Sequence, residues 1–185
     1  GMMNDVEIHV RSTFTNNEGT SITSDDKISY DKVITGVAYS KDDAKITLIG
    51  VEDRPGIAAS IFKPLYENNI SVDMIVQNVS ADNKKTDVTF TIKREDLDKS
   101  VNFIKKNSNL KFEKITFDDK VAKVSIVGAG MITHPGVAFK MFKALSDQNI
   151  NILVISTSEI KISVLIDENQ TQKAVVAIHT AFDLD

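Results

Sequence analysis

The chain has 185 residues, a formal net charge of −4 at pH 7 and no cysteine. Without cysteine, disulfides, thiolate metal sites and cysteine catalysis are excluded, and a mildly acidic chain suits nucleic-acid backbones poorly, since these need clustered Lys and Arg. No apolar run approaches the ~18 residues that span a bilayer, and no export signal is visible. We therefore expect a cytoplasmic protein with neither membrane nor nucleic-acid partners.

The first 28 residues form a tail that belongs to no repeat. VEIHV, at residues 6–10, predicts one short strand, and the stretch after it is polar and rich in Asn. Ser24 to Lys27 is typical of a solvated linker. We therefore set residues 1–28 apart from the rest of the chain.

An internal repeat follows a second predicted strand, Val33 to Tyr39 in VITGVAYS. One copy, AKITLIGVEDRPGIAASIFKPLYENNISVDMIVQNVS, begins at Ala44, and the other, AKVSIVGAGMITHPGVAFKMFKALSDQNINILVISTS, begins at Ala122. The copies share their first residues, a Pro-Gly pair and an Asn-Ile pair in the same order. A repeat of this length predicts two copies of one structural unit.

Each copy shows the same order of strand and helix patterns. The first strand, Ile46 to Val51 in the first copy, ends apolar on both faces, which is typical of a central strand. A helix follows, with apolar residues at helical spacing. Two strands and a second helix come next, and the first copy ends on a fourth strand. The later strands are predicted at 71–79, 87–92 and 111–117 in the first copy, and at 152–158 and 161–166 in the second.

The order βαββαβ is that of the ferredoxin-like unit, so we predict an α+β fold with two such modules in tandem. The second copy lacks its fourth strand, and we expect Val33 to Tyr39 to supply it, antiparallel to Val121–Val127, because an unpaired apolar strand exposes its edge. The first module, residues 44–118, would then be inserted into the second, residues 30–42 and 119–185. The alternative is a linker strand without a partner.

The turn between the first strand and the first helix is the leading candidate for a binding site in each copy. In GVEDRPGIAAS, Asp53 can cap the helix, Pro55 can open it, and Gly56 lets a ligand approach the backbone closely. The N–H groups at a helix start favour an anion such as an amino-acid carboxylate. HPGVA repeats the turn in the second copy. An ordinary helix start, duplicated with the rest, would give the same pattern.

The second strand of the first copy carries polar residues on an otherwise apolar face. By alternation Asp73, Ile75, Gln77 and Val79 share that face, which predicts a partly buried polar pocket. Their counterparts in the other copy are Leu153, Ile155, Thr157 and Glu159. An edge strand with scattered polar residues remains the alternative.

No catalytic, metal or cofactor motif is recognisable. The histidines, at positions 9, 134 and 179, lie on three different elements without ligand spacing. There is no phosphate-binding GxxxxGK[ST] loop, and Gly128-Ala129-Gly130 lacks the third glycine of a dinucleotide turn. We therefore expect a binding module that performs no chemistry itself.

The motifs VITGVA, IGVEDRPGIAA, VDMIVQNVS, KVSIVGAGM, HPGVA and STSEIKISVLI together resemble the regulatory region of aspartate kinases, over roughly Val33 to Phe182. VRSTFTNNEGTSI resembles the end of the kinase domain in that family, so the chain looks like a piece of a longer kinase; a natural regulatory subunit is the alternative. The resemblance implies two ACT modules, a homodimer, and feedback inhibition by threonine, lysine or both, the end products of threonine and lysine biosynthesis. The absent kinase domain would be an ATP-dependent phosphotransferase acting on the aspartate carboxylate.

The resemblance also implies two effector sites, each between modules of different chains and lined by a strand-to-helix loop and a second strand. The first would use Asp53, Gly56, Ile57, Ala58 and Gln77 with Asn151 and Ile152. The second would use His134, Gly136, Val137 and Ala138 with Asn69, Asp73, Ser156, Thr157 and Glu159.

The chemistry of the residues suggests which amino acid each site would take. A buried lysine ammonium needs a carboxylate, which Asp73 or Glu159 offers, whereas the threonine hydroxyl needs only a polar partner such as Gln77. We therefore expect threonine at the first site and lysine, if it binds, at the second. Other functions compatible with the fold are an ACT module of another enzyme and an RNA-binding domain. RNA binding needs exposed aromatics on the central strands, and only Phe90 offers one there.

Overall fold

The computed structural model describes residues 6–22, 33–79, 84–128, 131 and 134–184. Within these ranges the chain forms a small hairpin and two antiparallel sheets, each covered on one face by two helices. No helix in the described part of the chain has the length and apolar character that crossing a membrane requires. The strands are β1 (Ile8–Val10), β2 (Thr20–Ile22), β3 (Gly36–Ser40), β4 (Asp43–Glu52), β5 (Val72–Val79), β6 (Lys85–Lys93), β7 (Lys114–Asp118), β8 (Val121–Val127), β9 (Val154–Thr157) and β10 (Lys161–Asp167). The helices are α1 (Ile57–Glu67), α2 (Leu97–Lys106), α3 (Val137–Asp147) and α4 (Thr171–Ala181).

The first module consists of a sheet in the order β5-β6-β4-β7 with α1 and α2 packed on one face. The alternating apolar residues of β4 and β6 point at the helices, and Phe62 of α1 meets the edge of the Phe90 ring at a centroid distance of 5.2 Å. The last strand begins at Lys114, three residues later than predicted, although Glu113 still donates its N–H to Ile49 O.

The second module has the sheet order β3-β8-β10-β9, covered by α3 and α4. β3 pairs antiparallel with β8, from Gly36 opposite Val127 to Ser40 opposite Lys123, so the predicted pairing of the VITGVAYS strand is confirmed. This strand starts at Gly36 rather than at Val33. The predicted start of the second module, residues 30–32, lies outside the described residues.

The chain passes between the two modules at two short connections. Lys41 and Asp42 join β3 to β4, and Asp119 and Lys120 join β7 to β8. A backbone hydrogen bond at equivalent positions of the two repeats stabilises each connection. Arg94 N–H donates to Asp42 O at 2.7 Å, and Glu168 N–H donates to Lys120 O at 3.0 Å. The Arg94 and Glu168 side chains then form an ion pair across the modules at 3.1 Å.

Helix α1 contains a proline, Pro64, in its last two turns. Proline has no N–H, so the carbonyl four residues earlier, that of Ser60, loses its helical partner. The Asn107 side chain at the end of α2 supplies a replacement, because its Nδ2 donates to Ser60 O at 3.0 Å. The hydrogen bond that α1 cannot make internally therefore ties it to α2.

Candidate functional site

The turn before α1 is built on a backbone conformation that favours glycine. Gly56 is the N-cap residue with φ 85° and ψ 0°, in the left-handed region that side chains with a Cβ disfavour. Ile57 N–H donates to Arg54 O at 3.1 Å, which closes the turn. The predicted capping by Asp53 is wrong, since α1 has no side-chain cap: the helix starts at Ile57, and Asp53 lies too far upstream.

The start of α1 presents donors toward open space. The N–H groups of Ala58 and Ala59 have no acceptor inside the helix, because the first turn has no preceding helical carbonyls. Among the described residues, no atom lies within 4 Å of the position that a Cβ on Gly56 would take. These donors and the positive end of the helix dipole can therefore receive a carboxylate without a steric barrier.

A cavity of about 410 Å³ lies over this turn. Its lining combines a carboxylate, a guanidinium, a primary amide and three aliphatic side chains with the exposed helix start. The lining residues are Asp53, Arg54, Pro55, Gly56, Ile57, Ala58 and Gln77. The structure thus brings together the five first-site residues expected from the loop and from β5. It adds Arg54 and Pro55, which lie within the quoted loop motif but are not among the predicted site residues.

Arg54 is held at the rim of this cavity. One guanidinium nitrogen donates to Asn109 O at 3.3 Å, and Nε lies 3.8 Å from a carboxylate oxygen of Glu52. The cavity therefore contains both signs of charge, with the Arg54 cation and the helix start opposing the Asp53 carboxylate. Such a pairing suits a zwitterion, whose ammonium and carboxylate need partners of opposite charge.

Gln77 and Asp73 lie on opposite faces of the sheet, which contradicts the prediction that they share one. Gln77 pairs with Val88, whose side chain points at the helices, whereas Asp73 pairs with Thr91 on the other face. The cause is a β-bulge between Asp73 and Val76, which adds one residue to β5 and reverses the alternation after it. Gln77 thereby reaches the cavity and Asp73 does not.

Asp73 contacts the second module of the same chain. Its Oδ2 accepts a hydrogen bond from Lys123 Nζ at 2.6 Å, and its Oδ1 accepts one from Met74 N–H at 2.8 Å. The pKa of Asp73 is lowered, chiefly by the Lys123 hydrogen bond and further by the Met74 N–H and nearby lysine charge, while partial burial opposes the shift.

Asn151 and Ile152, the other residues expected at the first site, do not line the cavity over Gly56. Asn151 is exposed, and Ile152 packs partly buried against the core of the second module. The family resemblance places these two residues in a different chain from the loop. Their position in this chain neither adds to the cavity nor occludes it.

The second loop repeats the geometry of the first. Gly136 is the N-cap of α3 with φ 97°, Val137 is buried in the core, and Ala138 is half-buried. Thr157 pairs with Ile162 and so faces the helix side, as Gln77 does in the first module, whereas Ser156 pairs with Ser163 on the opposite face. Residues 129–130 and 132–133 of this loop lie outside the described residues.

The remaining second-site residues lie around the ends of elements. His134 and Glu159 are exposed, the first before α3 and the second in the turn between β9 and β10. Asn69 follows α1 with φ 55°, a conformation shared by its repeat counterpart Asn149. Within the described ranges no three His, Cys, Asp or Glu side chains come together as a metal site would require.

Comparison with known proteins identifies the family to which the two repeat copies belong. The ACT domain family model matches residues 46–107 and 124–182. The aspartate kinase of Pseudomonas fluorescens (strain SBW25) is 47% identical over 182 residues, which cover 97% of this chain and 44% of the relative. The chain thus spans less than half the length of the curated relatives that it matches.

Two solved structures show which part of such proteins the chain resembles. The regulatory subunit of aspartate kinase from Thermus thermophilus, in its ligand-free form, is 39% identical with a TM-score of 0.76, covering 82% of this chain and 99% of that one. Aspartate kinase from Clostridium acetobutylicum is 28% identical with a TM-score of 0.82, covering 97% and 42%. The chain therefore belongs to the ACT domain family, as the regulatory region of an aspartate kinase.

Proposed function

We propose that this chain binds threonine in the cavity over Gly56 and thereby mediates feedback inhibition of an attached aspartate kinase in the cytoplasm. The observation that carries the proposal is the convergence of the α1 start, the Asp53 carboxylate and the Gln77 amide on one cavity. The ligand carboxylate meets the first-turn N–H groups, the ammonium meets Asp53, and the hydroxyl meets Gln77. The Clostridium relative is described as an allosteric enzyme, which agrees with this role.

A second effector, lysine, is proposed at the loop around Gly136. Its side-chain ammonium needs a carboxylate, and Asp73 is already bonded to Lys123. Glu159 is therefore the carboxylate that we assign to it, with Thr157 on the same side of β9 as the loop. In this arrangement the partner chain of a homodimer completes both sites, with Asn151 and Ile152 contributed to the first.

The attached kinase domain is proposed to contact the N-terminal hairpin. All described residues of this hairpin are exposed, and β1 and β2 pair only with each other within the described ranges. Val6, Ile8 and Val10 share one face by alternation, and Ile22 lies opposite Ile8. A two-stranded hairpin is marginal alone.

Calorimetry with threonine and lysine, singly and together, tests the proposed ligands. Replacing Gln77 by Ala leaves the ligand hydroxyl unpaired and is expected to cost about 1–3 kcal/mol, or ten- to a hundredfold in threonine affinity. Thr157→Ala, the same change at the repeat-related position, is the matched control and should leave threonine binding unchanged. Threonine affinity that is unaltered in Gln77→Ala, or equally reduced in Thr157→Ala, would contradict the assignment.

A further inference from the structure

Strand β5 contacts the effector cavity with one end and the second module with the other. Asp73 lies opposite Thr91, and Val76 lies opposite Thr89, so β5 contains one residue more than β6 between these pairs. Without the extra residue, Asp73 and Gln77 would share one face of the sheet. The bulge therefore lets Asp73 face the second module while Gln77 faces the cavity.

The bulge depends on an unfavourable backbone conformation. Met74 has φ 45°, in the left-handed region that residues with a Cβ rarely adopt. Such conformations persist only where the surrounding structure holds them in place. The contacts around Met74 are therefore expected to maintain the bulge, and with it the placement of Asp73 and Gln77 on different faces.

These contacts come from the neighbouring Asp73 and from the second module. Asp73 Oδ1 accepts the Met74 N–H at 2.8 Å, and Asp73 Oδ2 is held by Lys123 Nζ of β8 at 2.6 Å. The Met74 side chain is 4% exposed and packs in a small apolar cluster. The other members of that cluster all belong to the second module: Val121, Val154 and Leu165.

Lys123 is itself fixed by a second carboxylate. Its Nζ lies 3.7 Å from Asp43 Oδ1, and the Asp43 residue is 3% exposed. Asp43 Oδ2 is buried without a hydrogen-bond partner among the described residues, so Lys123 is the cation that compensates this carboxylate. A lysine held between two carboxylates has little freedom to leave Asp73.

The repeat shows that this arrangement is specific to the first module. The counterpart of Asp73 in the second copy is Leu153, which cannot bind an ammonium. β9 pairs with β10 in unbroken register from Val154 to Thr157. The shared ACT architecture alone therefore does not require the Asp73–Lys123 contact.

We propose that Lys123 of the second module is a positioning residue for the threonine cavity of the first. By holding Asp73, it keeps the β5 bulge in place and orients Gln77 toward the ligand. The expected change in threonine affinity rests on the proposed function, namely that the first cavity binds threonine. It implies that any change in the second module that moves Lys123 alters the affinity of the first cavity.

The test compares Lys123→Met and Asp73→Asn with the conservative Lys123→Arg and with a matched control. Lys143→Met is that control, because Lys143 also bonds an aspartate, Asp147, at 2.7 Å, but on the surface of α3. Threonine affinity is measured by calorimetry well below the unfolding temperature, and amide hydrogen exchange is measured along β5 in the absence of ligand. General loss of stability would not move the affinity under these conditions.

Lys123→Met and Asp73→Asn are each expected to weaken threonine binding about tenfold and to speed exchange of the β6-bonded amides at residues 76–78. Lys123→Arg should restore both properties, and Lys143→Met should change neither. If Lys123→Met fails to fold, Asp73→Asn, which leaves Lys123 beside Asp43, decides alone. Unchanged β5 exchange, or faster exchange with unchanged threonine affinity, would overturn the proposal. If the unsubstituted chain does not bind threonine, the proposed function fails, and β5 exchange alone decides whether Lys123 holds the bulge.

Discussion

Glycine is required at position 56 by its backbone rather than by packing. The left-handed φ of 85° disfavours a Cβ, although the space around that position is open among the described residues. The same holds at Gly136, with φ 97°. The Pro-Gly pairs of the repeat therefore mark two equivalent backbone turns, and the sequence predicted these turns correctly because a glycine after proline is a strong turn signal.

Gly56→Ala is expected to lower the free energy of unfolding by about 1–2 kcal/mol, because alanine must adopt the left-handed conformation. Gly36→Ala is the control: Gly36 has no positive φ, and no described atom lies within 4 Å of its Cβ position. Urea unfolding monitored by circular dichroism should show the first variant destabilised and the second unchanged or slightly stabilised. Equal effects of the two substitutions would contradict the backbone explanation.

The Asp73 carboxylate makes stability sensitive to acid. Its folded pKa lies below the ordinary value of 3.8, because the Lys123 hydrogen bond favours the ionised form. Its contribution to stability is therefore complete above pH 3.8 and is lost as the pH falls from there through the lower folded-state pKa. Asp73→Asn should therefore reduce the loss of unfolding free energy at low pH, as measured by urea unfolding between about pH 5 and pH 2. If the free energy of unfolding falls with pH identically in the two proteins, Asp73 is excluded as the source.

At the scale of elements, hydrophobic periodicity predicted the helices and the order of the strands, and the missing fourth strand of the second copy predicted the pairing of β3 with β8. It could not predict that Asp73 and Gln77 diverge, because alternation assumes a regular strand and nothing in VDMIVQNVS marks a bulge. Asp73 and Met74, at the bulge, contact Lys123, Val121, Val154 and Leu165, which lie about fifty residues or more away in sequence. Such a feature is set by tertiary contacts, which local patterns do not record.

Helix α1 and helix α2 are expected to be coupled through the carbonyl of Ser60. Asn107→Ala removes the donor that replaces the missing proline N–H and should cost about 1 kcal/mol. In a Pro64→Ala background the same substitution should cost less, since the backbone N–H restored by that change can then bond Ser60 O. A double-mutant cycle by urea unfolding measures this difference. Additive effects of the two substitutions would show that Asn107 does not compensate for Pro64.

At the scale of the molecule, each of the two four-stranded sheets has an edge strand that exposes apolar side chains. β5 and β9 lie at sheet edges, and each carries exposed apolar side chains, Ile75 and Val76 on one and Leu153 and Ile155 on the other. Exposed apolar edges favour association with another strand. These edges are a physical basis for the homodimer in which the proposed effector sites would be completed.

The chain is therefore expected to be a dimer by sedimentation velocity at tens of micromolar. Ile155→Lys places a charge on the β9 edge and should shift the chain toward monomer. Val176→Lys, which charges an exposed residue of α4 rather than of β5 or β9, is the matched control and should remain dimeric. If the unsubstituted chain is monomeric, the prediction of a dimer is wrong. If the Val176→Lys variant is monomeric, the dimer interface lies at the helices instead.

The two short connections between the modules also impose an order on folding. β3 can pair with β8 only when Ser40 and Lys123 meet, and about 80 residues separate them. Closing a loop of that length from the unfolded chain costs roughly 4 kcal/mol of entropy. The first module is contiguous, and once folded it holds β4 and β7 side by side with their outer ends at the two connections. The second module would therefore complete its sheet late, using the first as a template that has already brought its distant strands together.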